Sequence, residues 1–598
     1  MPDAAAPGSG AGAAPSVAQF VGRAVAAWGA TRAFGVVGSG NFAVTGALRA
    51  AGVPFVAARH EGGAVVMADA YSRMGGGVGV VTVHQGCGLT NTATGLGEAA
   101  KSRTPLLLIS AAAPAGDPHN NFAMDQPGLA AAVGAESFTI EAPERAGTVL
   151  FTAWERALAG RAVLLNLPID VQGRPVSAAD AEALLGWEAA ASAAAAGEPG
   201  GPGEAGGTAA PAPAAPAAVV PSREDVSALV RALGAAERPV IIAGRGAREA
   251  GPVLRALGAE AGALLATSAV AKGLFARDSF DLGISGGFAT ELAAELIRGA
   301  DVVVAFGCAL NDWTTRRGTL LAPDATLVQV DRDPAAIGKH RPVDVSVVGD
   351  AALVAEAALE ELAYLRSGLD AEPGGRYRSE AVAARIAAEG TWNRTATPDL
   401  SGDGRIDPRV LSDVLNDVLP AARVVSTDSG NFMGYPSQYL TVPDERGFCF
   451  TQAFQSIGLG LGTAIGAALA QPQRLPVLGT GDGGFLMGIA DLETAVRLQL
   501  PLLVVVYDDA AYGAEVHHFG PADPGVDLSD VVFPERDLAA LAAGFGARSA
   551  VVRSVADLEV VEDWLAGVRA GERVPLVLDA KIASDGGAWW LQEAFARH

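Results

Sequence analysis

The sequence predicts an α/β protein built from three domains, each containing a parallel sheet. Short, continuously apolar runs alternate with helix-like stretches along the chain, and two segments of biased composition interrupt this alternation. Continuous apolar runs of strand length are typical of strands buried on both faces, and strands that alternate with helices form parallel sheets. A chain of 598 residues, half of them apolar, is long enough for several such domains.

The two interruptions set the predicted domain boundaries. Residues 188–221 are nearly all Ala, Gly, Pro and Glu and cannot form a core, so they predict a linker. Residues 367–404 are polar and charged and predict a second linker. Residues 1–16 lack the basic and apolar regions of a signal peptide, so they predict a disordered tail. The predicted domains are 17–187, 222–366 and 405–598.

Each predicted domain has its own buried strands. The apolar runs that predict them are Ala33–Val37, Gly77–Val83, Leu106–Ile109 and Ala162–Leu167 in the first domain; Pro239–Gly244, Asp301–Gly307 and Thr326–Asp331 in the second; and Arg423–Asp428, Leu475–Gly479, Leu502–Val506 and Pro575–Asp579 in the third.

The charge balance limits the kinds of partner. A formal charge of −23 and a pI near 4.7 argue against nucleic acid or an anionic membrane surface. Cys87, Cys308 and Cys449 are far apart and have no metal-ligand spacing, which favours a reducing cytoplasm over a disulfide framework. No apolar run is long enough for a transmembrane span.

Two aspartates in the third domain predict a metal site. Asp482, in Gly481-Asp482-Gly483, follows one predicted strand, and Asp509 follows the next. In a βαβ unit the carboxyl ends of both strands meet at one edge of the sheet. Two oxygen donors there can bind a hard cation such as Mg²⁺, and the glycines allow the backbone to approach a phosphate.

A glutamate and a glycine turn stand out in the first domain. Glu61 follows the strand-like run Pro54–Ala58 and opens a helix of small residues. A carboxylate at this position is often only a helix cap. Downstream, the strand-like run Val80–Val83 ends in His84-Gln85-Gly86-Cys87-Gly88-Leu89-Thr90-Asn91, a second glycine turn.

Together these motifs resemble the thiamine diphosphate (ThDP) enzymes of the acetolactate synthase and 2-oxo acid decarboxylase type. That family has His-Glu before a small-residue helix, then Gly-x-Gly-x-Thr-Asn, and a Gly-Asp-Gly…Asn-Asn metal motif. The resemblance covers nearly the whole chain and implies a pyrimidine-binding domain, a central domain and a diphosphate-binding domain, in that order.

The resemblance implies roles for individual residues. Glu61 matches the glutamate that hydrogen-bonds the cofactor's aminopyrimidine and starts the proton transfer that activates the thiazolium carbon. Asp482, Asp509 and the carbonyl of Ala511 match the metal ligands, although the family has Asn-Asn where this chain has Asp508-Asp509. The remaining expected cofactor contacts are Asp428, Ser429, Gly430, Asn431, Ile457, Gly481, Gly483, Gly484 and Tyr512. Ile457 matches the residue that supports the bent cofactor; by its own pattern it could equally be helix core.

Other positions depart from acetolactate synthases and suggest an altered substrate. Glu515 stands where decarboxylases and sulfoacetaldehyde acetyltransferases of the family carry a glutamate, although it could be a solvated helix residue. His84 and Gln85 replace small residues, and Gln126 belongs to the retained Asp-Gln pair of an otherwise changed loop. These four are the candidate catalytic residues beside Glu61.

The resemblance also implies an activity and partners. We expect a ThDP- and Mg²⁺-dependent enzyme that decarboxylates a pyruvate-like 2-oxo acid, with carboligation or acyl transfer, in a homodimer or homotetramer. Simple decarboxylation, acetyl transfer of the sulfoacetaldehyde type, and a non-catalytic ThDP- or flavin-binding scaffold are the alternatives. FAD is possible in the central domain, whose Asp331-Arg332-Asp333-Pro334 pattern the superfamily shares.

Overall fold

The computed structural model describes residues 14–196, 212–366, 377–522 and 525–588. The chain divides into two compact units. The first runs to Pro216 and includes the short segment Ala453–Gln455, and the second contains Ala217–Gln452 and the chain from Ser456 onward. Residues 1–13 lie outside the described ranges, so the predicted tail can be compared only at its last three residues.

The first unit contains a parallel sheet with the strand order β2-β1-β3-β4-β6-β5. The strands are β1 (Ala33–Gly35), β2 (Phe55–Ala57), β3 (Gly79–Val83), β4 (Leu106–Ala112), β5 (Glu136–Thr139) and β6 (Ala162–Pro168). The helices are α1 (Val17–Ala27), α2 (Phe42–Ala50), α3 (Glu61–Tyr71), α4 (Cys87–Thr90), α5 (Ala93–Lys101), α6 (Gln126–Ala132), α7 (Ala146–Leu158), α8 (Ile169–Gln172) and α9 (Ala178–Ala195). The order of strands and helices confirms the predicted α/β class for this domain.

The ends of the first domain differ from the predicted boundaries. Ser16 caps α1 in a capping box with Gln19, so the ordered chain begins before residue 17. Helix α9 continues past Trp187 to Ala195, so the predicted linker begins inside a helix. An alanine-rich sequence has high helix propensity, so the start of this segment extends the helix. Residues 197–211 of that linker lie outside the described ranges.

The second unit contains two parallel sheets. The central sheet has the order β12-β11-β10-β7-β8-β9. Its strands are β7 (Pro239–Ala243), β8 (Leu264–Thr267), β9 (Asp281–Ile284), β10 (Val302–Phe306), β11 (Thr326–Asp331) and β12 (Val345–Val348). Its helices are α10 (Arg223–Ala235), α11 (Gly251–Ala261), α12 (Glu291–Arg298), α13 (Asp312–Thr315), α14 (Ala351–Arg366) and α15 (Glu380–Glu389).

The C-terminal sheet has the order β14-β13-β15-β16-β18-β17, again with parallel pairs. Its strands are β13 (Arg423–Thr427), β14 (Phe448–Phe450), β15 (Leu475–Gly481), β16 (Leu503–Asp508), β17 (Arg548–Val552) and β18 (Leu576–Lys581). Its helices are α16 (Pro408–Val418), α17 (Gly434–Tyr439), α18 (Gly460–Ala470), α19 (Asp482–Gly488), α20 (Ala490–Arg497), α21 (Gly513–Ala522), α22 (Leu538–Gly544) and α23 (Glu559–Arg569). Three parallel-sheet domains are therefore present, as predicted.

The segment predicted as a second linker, 367–404, is partly structured. Helix α15 lies within it, and the indole N–H of Trp392 donates to the carbonyl of Phe288 at 2.9 Å. Residues 367–376 lie outside the described ranges. The second half of this segment is therefore not a free linker, because its apolar residues pack on the central domain.

The central and C-terminal sheets share part of their core. Phe288, from the central domain, packs in the same buried cluster as Phe448 and Phe450 of β14. The ammonium group of Lys272 donates to the carbonyls of Ser437 and Leu440, both at 2.6 Å. These contacts join two predicted domains into one compact unit.

None of the helices within the described ranges combines the length and the apolar character that a membrane span needs.

Candidate functional site

The carboxyl ends of β15 and β16 bring the two predicted metal-ligating aspartates together. The strands are paired, with Gly481 opposite Tyr507, so the residues that follow them lie side by side. Asp482 opens α19, and Asp509 begins the turn before α21. This is the sheet edge that the sequence predicted for a metal site.

The two carboxylates lie close enough to repel one another. Burial, together with the charges of Asp509 and Asp508, raises the pKa of Asp482 to about 7. Burial and the charge of Asp508 likewise raise the pKa of Asp509 to about 7. A divalent cation removes such repulsion, because it binds both carboxylates in their ionised form. The donor set therefore fits Mg²⁺.

The turn after Asp509 supplies the backbone part of this donor set. Asp509 accepts a hydrogen bond from the N–H of Ala511, and Ala510 has a left-handed φ of 56°. A bridge between Ala511 and Val532 holds the turn in place. Within the described ranges, no cluster of three or more His, Cys, Asp or Glu side chains has metal-binding geometry. Two side chains and a backbone carbonyl would leave positions for phosphate oxygens and water.

Asp508, which directly precedes Asp509, forms an ion pair with a lysine on the neighbouring strand. Its carboxylate accepts from the Lys581 ammonium group at 2.5 Å and from the N–H of Ala510 at 2.8 Å. Lys581 lies opposite Asp508 on β18 and also contacts Asp579 at 3.0 Å. All three side chains are buried. Lys581 therefore offsets part of the negative charge of Asp508, while it also contacts Asp579.

Asp428 serves the fold rather than facing a ligand. It is fully buried, and its carboxylate accepts from the N–H groups of Ser429, Gly458 and Leu459 and from the Thr480 hydroxyl, over 2.8–3.2 Å. Burial raises its pKa to about 6. Because these bonds occupy the carboxylate, Asp428 positions the loop, and a direct side-chain contact with a cofactor does not fit this arrangement.

The glycines beside Asp482 allow close packing around the metal turn. A Cβ on Gly483 would lie 2.6 Å from the Tyr512 ring, and one on Gly484 would lie 2.5 Å from Asp428 Oδ2. Gly481 lies beside the Phe432 ring in the same way. Gly430 has a φ of 144°, which favours glycine. The ring of Tyr512 therefore packs over Gly483 in this turn.

The remaining predicted cofactor residues surround this turn. Asn431 is buried beside Gly513, and its Oδ1 accepts from the N–H of Ala588 at 3.1 Å. The side chain of Ile457 is 36% exposed in the loop before α18. Ile457 is therefore not helix core, which leaves it available to contact a ligand.

Glu515 lies in the first turn of α21, directly after the metal turn. It is half-buried, and its carboxyl group makes no hydrogen bond or ion pair with any described residue. Two residues further on, His517 packs against Gly587, and burial lowers its pKa while the nearby Asp585 opposes that shift. Glu515 is thus an unpaired acid beside the metal turn.

In the first unit, Glu61 opens α3 and is held by Asn91. The side-chain amide of Asn91 donates to Glu61 Oε2 at 2.9 Å. A Cβ on Gly88 would lie 3.4 Å from Glu61 Oε1, so the glycine turn passes directly beside the carboxylate. His60, and not Glu61, caps the helix, since its Nδ1 accepts from the Gly62 N–H at 3.0 Å. The side chain of Glu61 is therefore not the one that caps the helix by a hydrogen bond, although it lies in the first turn.

His84 and Gln85 lie at the end of β3, beside the same turn. The ring of His84 packs edge-on against Phe122 at 4.8 Å, with its Nδ1 2.9 Å from the Gln85 carbonyl and its Nε2 3.3 Å from Ser39 Oγ. Gly88 packs on the Cβ of His84 as well as beside Glu61. Gln85 is buried against Gly40, and its Oε1 has no hydrogen-bond partner among the described residues. The structure therefore places His84, but not the Gln85 amide, at the exposed edge near Glu61.

Gln126, a predicted catalytic residue, is a buried structural residue. Its amide donates to Ser110 Oγ, to the carbonyl of Ala111 and to Asn166 Oδ1, at 2.8–3.3 Å. Only 4% of the residue is exposed. Its bonds join α6 to β4 and β6, so a direct catalytic role does not fit the structure.

Sequence reasoning did not single out three residues that hold the site together. Asn91 binds Glu61, Lys581 pairs with Asp508, and Thr480 binds Asp428. Asn91 could have been found, because it closes the same glycine motif. Lys581 is 72 positions after Asp509 in the sequence, and it lies near Asp508 only because β16 pairs with β18.

Comparison with protein families agrees with this arrangement. The N-terminal TPP-binding domain of thiamine pyrophosphate enzymes matches residues 15–131, the central domain 226–361, and the C-terminal TPP-binding domain 428–580. The chain belongs to the thiamine pyrophosphate enzymes. Thiamine pyrophosphate is another name for ThDP, so the resemblance read from the motifs is confirmed.

Curated relatives of this thiamine pyrophosphate enzyme have different activities. A probable 2-ketoarginine decarboxylase from Pseudomonas aeruginosa is 31% identical over 90% of this chain and 89% of its own length. The acetolactate synthase isozyme 2 large subunit of Escherichia coli is 28% identical over 83% of both chains. A sulfoacetaldehyde acetyltransferase from Alcaligenes xylosoxydans is 27% identical over 81% of this chain and 80% of the relative. The chain is therefore similar to enzymes that carry out decarboxylation, acetolactate synthesis and acetyl transfer.

Proposed function

We propose that this protein uses ThDP and Mg²⁺ to decarboxylate a 2-oxo acid and releases the remaining acyl unit as an aldehyde. The observation that carries the proposal is Glu515, an unpaired carboxyl group directly after the metal turn. Release as an aldehyde needs a proton donor near the reacting carbon, and a half-buried carboxylic acid is a suitable one.

The residues for holding the cofactor come from the described turns. Asp482, Asp509 and the Ala511 carbonyl would bind Mg²⁺, and backbone N–H groups of Gly483 and Gly484 would face the diphosphate. When bound, ThDP supplies the electron sink that lets CO₂ leave a 2-oxo acid. In the first unit Glu61 would exchange a proton with the aminopyrimidine, while His84 lies where it can contact the substrate.

Transfer of the acyl unit to a second substrate is the other candidate. The acetolactate synthase and sulfoacetaldehyde acetyltransferase relatives favour it, because their names describe carboligation and acetyl transfer. Both candidates share the decarboxylation step. They differ in whether the remaining acyl unit takes up a proton or is transferred to an acceptor. Glu515 favours uptake of a proton in this chain.

A product analysis distinguishes the two candidates. The purified protein with ThDP and Mg²⁺ is given pyruvate, longer apolar 2-oxo acids and 2-oxo-5-guanidinopentanoate, the last because of the 2-ketoarginine decarboxylase relative. We expect CO₂ and the matching aldehyde in equal amounts from at least one acid. Acetolactate or an acetylated acceptor as the main product would favour transfer, and CO₂ release from none would contradict both candidates.

The Glu515→Gln variant tests the observation that carries the proposal. Without an ionisable proton donor, aldehyde release should fall at least tenfold, whereas acyl transfer to an added acceptor should persist. His518→Gln, a substitution on the same helix, is the matched control. Unchanged aldehyde release in Glu515→Gln would contradict the proposed role.

We favour a catalytic role over that of a non-catalytic ThDP- or flavin-binding scaffold, because Glu61 is present and has a partner that orients it. Exchange of the C2 proton of bound ThDP tests this directly. We expect rapid exchange in the wild type and much slower exchange in Glu61→Gln. Equal rates in both would contradict the activating role of Glu61.

We also propose that the protein acts as at least a homodimer, as in its family. Each unit exposes large apolar side chains: Phe42 and Phe122 in the first unit, and Met487 and Phe519 in the second. Exposed apolar groups of this size commonly mark interfaces. Light scattering of the purified protein should give at least twice the chain mass of 60.2 kDa.

FAD in the central domain stays a prediction. The turns after β7 and β10 touch at the switch point of that sheet, where a Cβ on Gly244 would lie 2.2 Å from the Gly307 carbonyl oxygen. A nucleotide there would have to lie over these turns and not between them. The visible absorption spectrum of the purified protein tests for a flavin.

A further inference from the structure

We propose that Asn91 is a positioning residue that fixes the Glu61 carboxylate and leaves Oε1 as its free oxygen. The inference rests on the proposed function, since it concerns how Glu61 meets the ThDP aminopyrimidine. It goes beyond that function by naming a residue that sets the orientation of the activating carboxylate.

The first step is the contact itself. Asn91 Nδ2 lies 2.9 Å from Glu61 Oε2, and Glu61 Oε1 has no hydrogen-bond partner among the described residues. The direction of this bond follows from the chemistry, because a carboxylate only accepts and must therefore face the amide nitrogen of Asn91. The two oxygens of Glu61 are thus distinguished by the protein.

The second step is the rigidity of the support. Asn91 follows the short helix α4, and its backbone N–H donates to the Cys87 carbonyl at 3.2 Å. A Cβ on Gly62 would lie 3.1 Å from the Asn91 carbonyl oxygen, so the start of α3 packs directly on this residue. Side-chain and backbone contacts between the same two elements fix the distance from Asn91 to Glu61.

The third step is the space around the free oxygen. Gly88 approaches Oε1 without a side chain, and a Cβ at Gly88 would also lie 3.1 Å from the Cβ of His84. Holding Oε2 prevents the carboxylate from rotating, so Oε1 keeps one orientation beside the glycine turn.

The experiment compares C2-proton exchange of bound ThDP, followed by NMR after acid quench, in wild type, Asn91→Ala and Asn91→Asp. We expect exchange to fall roughly tenfold in Asn91→Ala, as for loss of a hydrogen bond to a charged group. Asn91→Asp has the same shape but no donor and should exchange more slowly still.

Two further measurements separate positioning from mere stability. The ThDP dissociation constant, from calorimetry, should change less than about threefold in Asn91→Ala. The crystal structure of the Asn91→Ala apoprotein should show a Glu61 carboxylate with more than one orientation. Asn393→Ala is the matched control, because Asn393 donates to Asp413 at 2.6 Å in the second unit, and its exchange rate should equal that of the wild type.

An Asn91→Ala variant with the exchange rate of the wild type would overturn the inference, even if its melting temperature fell. Failure of the proposed function gives a different result, since the wild type itself would then neither bind ThDP nor exchange its C2 proton.

Discussion

At the scale of single residues, Asp428 belongs to the predicted cofactor loop and holds that loop in place. Its buried carboxylate gathers three backbone N–H groups and one hydroxyl from segments far apart in sequence. The resemblance indicated this loop, but motif matching does not reveal the direction of a side chain. Gln126 is the same case, since both residues are fully engaged within the fold.

The burial of Asp428 predicts a pH dependence of stability. Its folded pKa of about 6 lies above the ordinary Asp value of 3.8, so the folded state binds more protons than the unfolded state between these pH values. The free energy of unfolding should therefore fall as pH rises from about 4 to 6, by about 3 kcal/mol for this residue. Denaturant unfolding of wild type and Asp428→Asn over this range measures the difference, which should shrink with rising pH. A constant difference would contradict the prediction.

Asp509 predicts a tolerant position at the metal site. The family motif has Asn there, which offers an oxygen at the same place without the charge that repels Asp482. Mg²⁺-dependent ThDP binding should therefore survive Asp509→Asn, within about tenfold, whereas Asp482→Ala should abolish it. Calorimetric titration with ThDP, with and without Mg²⁺, provides the measurement. Loss of binding in Asp509→Asn would show that this chain needs the second charge.

At the scale of elements, the strands were predictable and the helices at domain borders were not. The apolar runs that predicted β4, β6, β10, β11 and β16 lie within a residue or a few of the observed strands, because strands buried on both faces need continuous apolar sequence. Helices α9 and α15 were missed, since their alanine-rich or polar sequences have little apolar patterning. The pairing of β16 with β18, which brings Lys581 to Asp508, depends on sheet order and has no local signal.

The cross-strand pair of Asp508 and Lys581 predicts a large effect on stability. Lys581→Met would leave Asp508 and Asp579 buried without their cation and should lower the free energy of unfolding by about 3–5 kcal/mol. The double variant Asp508→Asn/Lys581→Met should recover a substantial part of that loss, because only Asp579 then remains without its cation. Thermal unfolding of the two single variants and the double variant gives the coupling energy. Additive effects would show that the two side chains do not stabilise each other.

At the scale of the whole molecule, three sheets form two compact units because the central and C-terminal domains share a core. The predicted metal ligands all belong to the second unit, and Glu61 with Asn91 belongs to the first. The sequence indicated three domains from their strands, but the shared core depends on packing between residues such as Phe288 and Phe450, which no local pattern reveals.

Cofactor binding should therefore stabilise the protein in a way that depends on the second unit's aspartates. A ligand that binds only the folded state stabilises it by RT ln(1 + [L]/Kd), which is about 2.7 kcal/mol at one hundred times Kd. ThDP with Mg²⁺ should raise the melting temperature of the wild type, and EDTA should reverse the rise, since Asp482 and Asp509 repel each other without the cation. Asp482→Ala should melt at the same temperature with and without both ligands. A rise in this variant equal to that of the wild type would place the metal elsewhere, because no other described pair of aspartates follows adjacent strands beside a Gly-Asp-Gly turn.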